Sequence, residues 1–176
     1  MNCTVYIATS LDGFIATKDR KVDFLMQIDN PTNDDFGFEK FINNIDAIIM
    51  GKNTFEFLLP FANQWVYSKP VYVMSSTLKE IPITLQDKAF LIQSDIDTLL
   101  NDLQNKGMNN FYIDGGKMIQ SFLKKDLIDE LIITQVPTLL GEGIPLFSNS
   151  GIKNFELVES ELLLGQLVKS HYQIKR

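Results

Sequence analysis

The chain has 176 residues, of which 45% are hydrophobic, so its length and composition predict a single domain, residues 1–176, with one substantial core. Its 22 acidic and 16 basic residues give a net charge of −6, which argues against a nucleic-acid partner because phosphate backbones need clustered cations. A small anionic ligand is compatible with this charge, since a few amides and one or two cations can bind it.

The single cysteine, Cys3, cannot form an internal disulfide, and this usage predicts a reducing, cytoplasmic location. No basic segment followed by an apolar one marks the amino terminus, and no apolar run is long enough to span a bilayer, so no membrane partner is expected. The only histidine, His171, lies in a segment that alternates like a strand. We therefore predict an ordinary strand residue there and no metal site.

Short β-rich runs alternate with helical patterns along the chain, which predicts an α/β fold with one sheet covered by helices. We predict strands over 3–9, 46–50, 70–76, 89–93, 110–114, 130–140, 155–164 and 167–175. We predict helices over 34–45, 53–59, 95–106 and 117–125. The last two strands meet around Gly165 with no helix between them, so we expect an antiparallel hairpin at a sheet edge and therefore a mixed sheet.

Two aspartates, Asp34 and Asp35, fall in the first turn of the first predicted helix, which carries an apolar stripe at helical spacing. The stripe contains Phe38, Phe41, Ile42 and Ile45. By helical geometry, either aspartate can project toward a cleft beside the stripe. The alternative is that one of them, or Asn33, only caps the helix, which is the usual role of such a residue at a helix start.

Three turns that follow predicted strands combine glycine or small hydroxyl residues with backbone amides at the start of the next element. They cover residues 50–56, 74–78 and 114–120. Such turns favour an anionic ligand, and nearby lysines and hydroxyl groups add donors. Each turn alone is also compatible with a purely structural role, and neither the Rossmann nor the P-loop glycine motif occurs.

Read in order, six motifs resemble the dihydrofolate reductase superfamily across nearly the whole chain. They are SLDGFIA (10–16), IDAIIMGKNTFE (45–56), VYVMSS (71–76), YIDGGKMIQSFL (112–123), DELIITQVPTLLGEGIPLF (129–147) and the final strand pair. The LLGEGIPLF stretch is typical of the branch that contains the riboflavin-biosynthesis reductase domain. The resemblance implies a three-layer α/β fold with a mixed, mostly parallel eight-stranded sheet, flanking helices and a C-terminal antiparallel hairpin. It also implies an NADPH site across the strand ends and a homodimer.

The resemblance assigns cofactor contacts to the matching positions. The nicotinamide would contact Ala8 and Ile15. The pyrophosphate and adenosine side would contact Gly51, Lys52 and Thr54, and the adenosine ribose with its 2′-phosphate would contact Ser75 and Ser76. The diphosphate and the nicotinamide ribose would contact Gly115, Gly116, Lys117, Met118 and Ile119. The glycine pair is thereby expected to leave room for a dinucleotide against bare backbone. Lys52 and Thr77 stand where phosphate-selecting members commonly carry arginine. A lysine neutralises phosphate without a bidentate fork, so NADPH is expected with weaker selection against NADH.

In folate-reducing members of the superfamily, an acid lies in the first turn of the helix that precedes the strand ending, in this chain, at Met50 and Gly51. Counting back from Gly51 matches this acid to Asp35, and Asp34 is its neighbour. A carboxyl group buried beside a pterin-like ring has its pKa raised by desolvation. Asp35 is therefore the expected proton donor, and Asp34 an expected substrate contact. Thr134 matches a threonine near the substrate ring. Gly141 and Gly143 are expected at a dimer contact, a substrate rim or a plain loop.

The implied function is an NADPH-dependent reductase that transfers hydride to a pterin, a pyrimidine or a related heterocyclic or carbonyl substrate, as riboflavin-type 5-amino-6-ribosylaminouracil reductases do. Two alternatives stay open: a true dihydrofolate reductase, and a dinucleotide-binding protein without turnover. The zinc deaminase that accompanies the riboflavin reductase domain is not predicted, because one histidine and one cysteine cannot supply its ligands.

Overall fold

The structure of the chain is a computed structural model that describes residues 1–148 and 150–175. In chain order its strands are β1 (Asn2–Thr9), β2 (Phe14–Ala16), β3 (Ala47–Gly51), β4 (Val71–Met74), β5 (Ala89–Ile92), β6 (Asn110–Asp114), β7 (Glu130–Gln135), β8 (Ile144–Pro145), β9 (Phe155–Leu163) and β10 (Leu167–Ile174). The α-helices are α1 (Phe38–Asn43), α2 (Lys52–Leu58), α3 (Ile96–Asn105) and α4 (Gly116–Lys124). Short 3₁₀ helices cover Asp23–Gln27, Leu59–Gln64 and Ile83–Leu85.

Eight strands form one sheet in the order β5-β4-β3-β6-β1-β7-β10-β9. The pairs from β5 to β7 are parallel, whereas β10 is antiparallel to both β7 and β9. This arrangement confirms the predicted mixed sheet and its C-terminal hairpin, which turns at Gly165 with φ +70°. Strands β2 and β8 pair separately as a small antiparallel sheet. Neither was predicted, because runs of two and three residues carry no periodic signal.

Alternate side chains of the central strands enter two cores on opposite faces of the sheet. In β6, Phe111 and Ile113 pack with α3 and α4, while Tyr112 packs with α1 and α2. In β3, Ile49 joins the first core and Ile48 the second, and both side chains are fully buried. Helices therefore cover both faces, which confirms the predicted three layers.

The first helix begins later than predicted. It starts at Phe38, four residues after the predicted start, because Phe36 and Gly37 have φ of +58° and +87°, which no α-helix accommodates. Asp34 and Asp35 consequently lie in the loop before the helix. The predicted apolar stripe is confirmed, since Ile42 and Ile45 are buried in the core beside β3 and Phe38 and Phe41 pack against them.

His171 lies in β10, and its Nε2 atom is 2.6 Å from a carboxylate oxygen of Glu130 in β7, whose other oxygen accepts a hydrogen bond from Asn2. The predicted role of an ordinary strand residue fits these contacts. Within residues 1–148 and 150–175, no cluster of three or more potential ligand side chains is placed to hold a metal ion. Over the same residues, none of the helices combines the length and apolar character needed to cross a bilayer.

Candidate functional site

A cleft of about 680 Å³ lies where the carboxyl ends of β1, β3, β4 and β6 meet at one edge of the sheet. In an open parallel sheet this edge is where ligands usually bind, because the loops that leave the strands meet there. The three turns singled out in the sequence converge on this cleft. The predicted cofactor residues that line it are Ile15, Gly51, Lys52, Thr54, Ser75, Ser76, Gly115, Gly116, Lys117 and Met118.

The glycine pair Gly115 and Gly116 allows three elements of the cleft to approach one another. A Cβ atom on Gly115, whose φ is +89°, would overlap the Oγ1 atom of Thr54 in α2. A Cβ atom on Gly116 would lie 2.7 Å from the Cδ1 atom of Ile15 in β2. Side chains of the protein thus fill the Cβ positions of both glycines, and the expectation that the pair leaves room for a dinucleotide against bare backbone stays a prediction. What remains open to a ligand is the backbone of the first turn of α4, whose N–H groups have no partner within the helix.

The ammonium group of Lys52 and several hydroxyl groups line the wall of the cleft formed by α2 and the turn after β4. The Nζ atom of Lys52 lies 3.5 Å from both Thr77 Oγ1 and Glu56 Oε1. The hydroxyl oxygen of Ser75 accepts the backbone N–H groups of Thr77 and Leu78, at 3.1 and 2.9 Å, so this serine shapes its own turn. The set of donors suits a ligand that carries phosphate groups.

Five residues that the sequence placed at the site lie outside the lining of the cleft, and three of them are Ala8, Ile119 and Thr134. Ala8 and Thr134 sit opposite each other in β1 and β7, and Ile7 lines the cleft in place of Ala8. Ile119 is fully buried and packs α4 onto the core. The roles assigned to these residues by resemblance stay predictions.

The expectation that the carboxyl group of Asp35 is buried is wrong. Its carboxylate is exposed and accepts the backbone N–H groups of Glu39 and Gly37, at 2.7 and 2.8 Å, and these two bonds lower its pKa from the ordinary value. Asp34 is exposed as well and accepts the N–H of Phe36 at 2.7 Å. Asp35 thus resembles the helix cap of the alternative interpretation, because it binds the N–H of Glu39 in the first turn of α1, whereas Asp34 binds only the loop before the helix. A catalytic role for Asp35 stays a prediction, but the burial on which it was based is absent.

Asp114 was not among the predicted site residues. It is the only residue with a carboxyl group among the described residues that line the cleft. The hydroxyl of Tyr67 donates to its Oδ2 atom at 2.8 Å, and Tyr112 and the N–H of Gly115 also interact with the carboxyl group. Desolvation raises the pKa of Asp114 and outweighs these hydrogen bonds, which act in the opposite direction. One feature of the sequence could have indicated Asp114: it is a polar residue that ends a buried strand directly before the glycine pair.

Four aromatic side chains in or after α2 have rings that could stack on a ligand, and they divide between two environments. Phe55 is fully buried and Trp65 packs edge-on against it, so both belong to the core beside α2. Phe57 lines the cleft and is 46% exposed, whereas Phe61 is exposed away from it. Only Phe57 of this group is placed to stack on a ligand in the cleft.

The sequence matches the RibD C-terminal domain family over residues 2–169. The chain belongs to this family. Its members are related to the reductases of riboflavin biosynthesis, so the resemblance stated from the motifs is confirmed.

Individual relatives support this placement. The chain is 32% identical over 171 residues to the protein YwjB of Bacillus subtilis (strain 168), and the match covers 96% of this chain and 95% of that protein. It is 46% identical, with a TM-score of 0.96 and full coverage of both chains, to the crystal structure of a protein from Shewanella sp. PV-4 that is named for riboflavin biosynthesis.

A more distant structure shows the shared fold. A diaminohydroxyphosphoribosylaminopyrimidine deaminase and 5-amino-6-(5-phosphoribosylamino)uracil reductase from Thermotoga maritima has a TM-score of 0.72 at 15% identity, over 99% of this chain and 56% of that longer one. RibD from Acinetobacter baumannii gives the same TM-score at 16% identity, covering 58% of its length. These likenesses confirm the dihydrofolate reductase-like fold that the motifs implied.

The glycine pair yields a prediction about stability. Replacing Gly115 by alanine should destabilise the protein by roughly 2–5 kcal/mol, because the left-handed backbone and the overlap with Thr54 add their costs. Chemical denaturation measures the change. Gly107→Ala is the matched control, since its φ is +82° but nothing lies within 4 Å of its Cβ position, so only the backbone cost of about 1–2 kcal/mol applies. Equal losses in the two variants would contradict the packing role of Gly115.

Proposed function

We propose that the chain is an NADPH-dependent reductase that transfers hydride to a pterin, a pyrimidine or a related small heterocyclic or carbonyl substrate, in the manner of the riboflavin-type 5-amino-6-ribosylaminouracil reductases. The observation that carries this proposal is the convergence of the three predicted turns on one cleft at the strand ends. Membership in the RibD C-terminal domain family supports a reductase rather than another use of the same fold.

The residues present fit a dinucleotide. The first turn of α4, the hydroxyl groups of Ser76 and Thr77 and the ammonium group of Lys117 supply donors for phosphate oxygens. Ile7, Ile15 and Ile144 give the cleft an apolar wall suited to a flat ring. NADPH bound there would supply the hydride for reduction of a C=N or C=O carbon.

The protein's own part in the chemistry is to orient the substrate and to supply a proton. When hydride adds to the carbon of a C=N or C=O bond, the nitrogen or oxygen gains negative charge and takes up a proton. Asp114 is placed to give that proton, because it lines the cleft and its raised pKa favours the protonated form. The hydroxyl of Tyr67 fixes the orientation of the carboxyl group through its 2.8 Å hydrogen bond. Asp35, the acid expected from the resemblance, is the competing candidate.

Nucleotide binding is the first test. NADPH at about one hundred times its dissociation constant should stabilise the fold by ~2.7 kcal/mol and raise the melting temperature by roughly 5 to 10 °C. NADH should give the same stabilisation only at higher concentrations.

Turnover is measured next, as the fall in NADPH absorbance with dihydrofolate and with a ribosylaminopyrimidine substrate. Turnover of the pyrimidine supports the proposal, turnover of dihydrofolate alone indicates a true dihydrofolate reductase, and binding without turnover of either indicates the non-catalytic alternative. No shift with either nucleotide would overturn the proposal.

The identity of the acid is the second test. Asp114→Asn should lower kcat by about 10²–10⁴-fold while leaving the dissociation constant of NADPH nearly unchanged, because it removes the proton but keeps an acceptor for Tyr67. In the wild type, kcat should fall as pH rises through the raised pKa of Asp114, and this decrease should be missing in the variant. Asp35→Asn is the matched control: asparagine keeps one of the two oxygens that accept the N–H groups of Gly37 and Glu39, so we expect a modest loss of stability and a kcat close to wild type. A kcat lost in Asp35→Asn instead would return the role to that residue.

The free energy of unfolding separates a catalytic from a structural role for Asp114. Because its pKa is higher in the folded than in the unfolded protein, its protonated form contributes stability at low pH that is lost as pH rises through the folded-state pKa. At pH 8 the asparagine variant should therefore be as stable as the wild type or more so. A marked destabilisation at that pH would show that the carboxylate serves the fold.

We also propose that the chain forms a homodimer in a reducing cytoplasm, where the buried Cys3 stays protected from oxidation. Two adjoining hollows of about 480 and 190 Å³ share the side chains of Ile133, Phe147 and Tyr172 and form one groove beside β7 and β10. Apolar side chains project next to it, including Phe147 at 47% and Ile152 at 96% exposure. A groove and projecting apolar side chains in the same patch can form the self-complementary surface that a two-fold dimer needs.

Light scattering after gel filtration tests the assembly. The wild type should have twice the chain mass of 20.1 kDa, and Phe147→Glu should shift it to the monomer because a charge is placed in an apolar contact. Phe61→Glu is the matched control, since that side chain is exposed to a similar degree, 53%, and lies outside the groove. A wild-type monomer, or a dimer that Phe147→Glu leaves intact, would contradict this interface.

A further inference from the structure

The loop between β2 and the first 3₁₀ helix carries three cations, of which two are paired. The Nζ atom of Lys18 lies 2.5 Å from a carboxylate oxygen of Glu142, and that of Lys21 lies 3.0 Å from one of Asp19. Arg20 has neither an ion pair nor a side-chain hydrogen bond with the residues that the structure describes. It is also the one of the three that lines the cleft. Its guanidinium group is therefore available to a ligand there.

Backbone geometry holds Arg20 in this position. The N–H of Arg20 donates to the carbonyl of Thr17 at 2.9 Å, and the N–H of Thr17 donates to the carbonyl of Lys21 at 3.0 Å. The hydroxyl of Thr17 bonds to Asp19 at 2.6 Å and accepts the N–H of Lys21 at 3.0 Å. Arg20 itself has φ +65°, which is uncommon for a residue other than glycine. A loop fixed by so many hydrogen bonds presents its side chain with little further loss of backbone entropy.

The loop is also attached to the body of the protein. β2 pairs with β8, and Gly143 lets the chain before β8 come so close to the carbonyl of Ala16 that no Cβ atom would fit. The ion pair between Lys18 and Glu142 adds a second connection to the same segment. The position of Arg20 relative to the cleft is thus set by the fold.

The charges that line the cleft favour an anion. Besides Arg20 they include Lys52 and Lys117, and Asp114 is the only carboxyl-bearing residue in the described lining. Glu56 lies 3.5 Å from Lys52 and offsets part of its charge, whereas Lys117 has no ion pair among the described residues. The cleft is therefore locally positive although the chain carries a net charge of −6.

We propose that Arg20 binds a phosphate group of the dinucleotide and determines how tightly the chain holds it. The inference rests on the proposed function. A guanidinium group presents a planar pair of N–H donors that matches two phosphate oxygens, which an ammonium group cannot do. Arg20 would thus provide the bidentate contact that Lys52 and Thr77 lack in the turns after β3 and β4.

Calorimetric titration of Arg20→Gln with NADPH and with NADH tests this inference. NADPH should bind roughly tenfold more weakly than to the wild type, since a charge-assisted hydrogen bond to phosphate is lost. An unchanged NADH affinity in the variant would identify the 2′-phosphate as the group bound, and an equal loss for both nucleotides would identify the diphosphate. In either case the difference from wild type should shrink as salt is added, because an exposed contact is screened.

Two further variants make the test specific. Lys21→Gln removes the same charge one residue further along the loop, outside the cleft, and should leave both affinities unchanged because exposed pairs contribute little. Arg20→Lys keeps the charge without the fork and should bind with intermediate affinity. Unchanged affinity for both nucleotides in Arg20→Gln would overturn this inference while leaving the proposed function intact. A wild type that binds neither nucleotide would overturn the function and this inference with it.

Discussion

The close approach at the end of β6 is the constraint on which the rest of the cleft depends. Thr54 of α2 and Ile15 of β2 occupy the positions where side chains of Gly115 and Gly116 would stand. Any larger residue would push apart the turn after β3, the strand β2 and the start of α4. The shape of the cleft thus depends on packing between these parts of the protein. A ligand then meets a fixed row of backbone N–H groups, which is the condition for preorganised binding.

The segment before β8 explains a motif that the sequence left open. Gly141 was compatible with a dimer contact, a substrate rim or a plain loop. In the structure its N–H donates to the carboxylate of Asp12 at 2.7 Å, and Gly143 lies against the backbone of Ala16. Both contacts fasten this segment to the β1–β2 region, one wall of which lines the cleft. The two glycines therefore hold this segment against the β1–β2 region, and Leu146 and Phe147, which follow it, line the groove of the proposed dimer.

Local signals accounted for most of the fold. Strand alternation, the hairpin at Gly165 and the three glycine or hydroxyl turns depend on neighbouring residues, and all of them were predicted. The start of α1 was not, because it depends on distant contacts: the hydroxyl of Tyr6 and the ammonium group of Lys169 both donate to the carbonyl of Phe36, each at 2.7 Å. These bonds stabilise the left-handed turn that delays the helix. A pattern of apolar residues at helical spacing contains no information about such partners.

The two aspartates show why the environment of a candidate proton donor could not be predicted from the sequence. Asp35 and Asp114 have the same side chain, and both sit beside a helix start. Two backbone N–H donors lower the pKa of the exposed Asp35, whereas desolvation raises that of Asp114 beside Tyr67 and Tyr112. One of these rings is distant in the sequence, since Tyr67 is 47 residues away in the chain. The pKa of a carboxyl group rises when its loss of solvent outweighs the hydrogen bonds that it accepts, and both are properties of the folded protein.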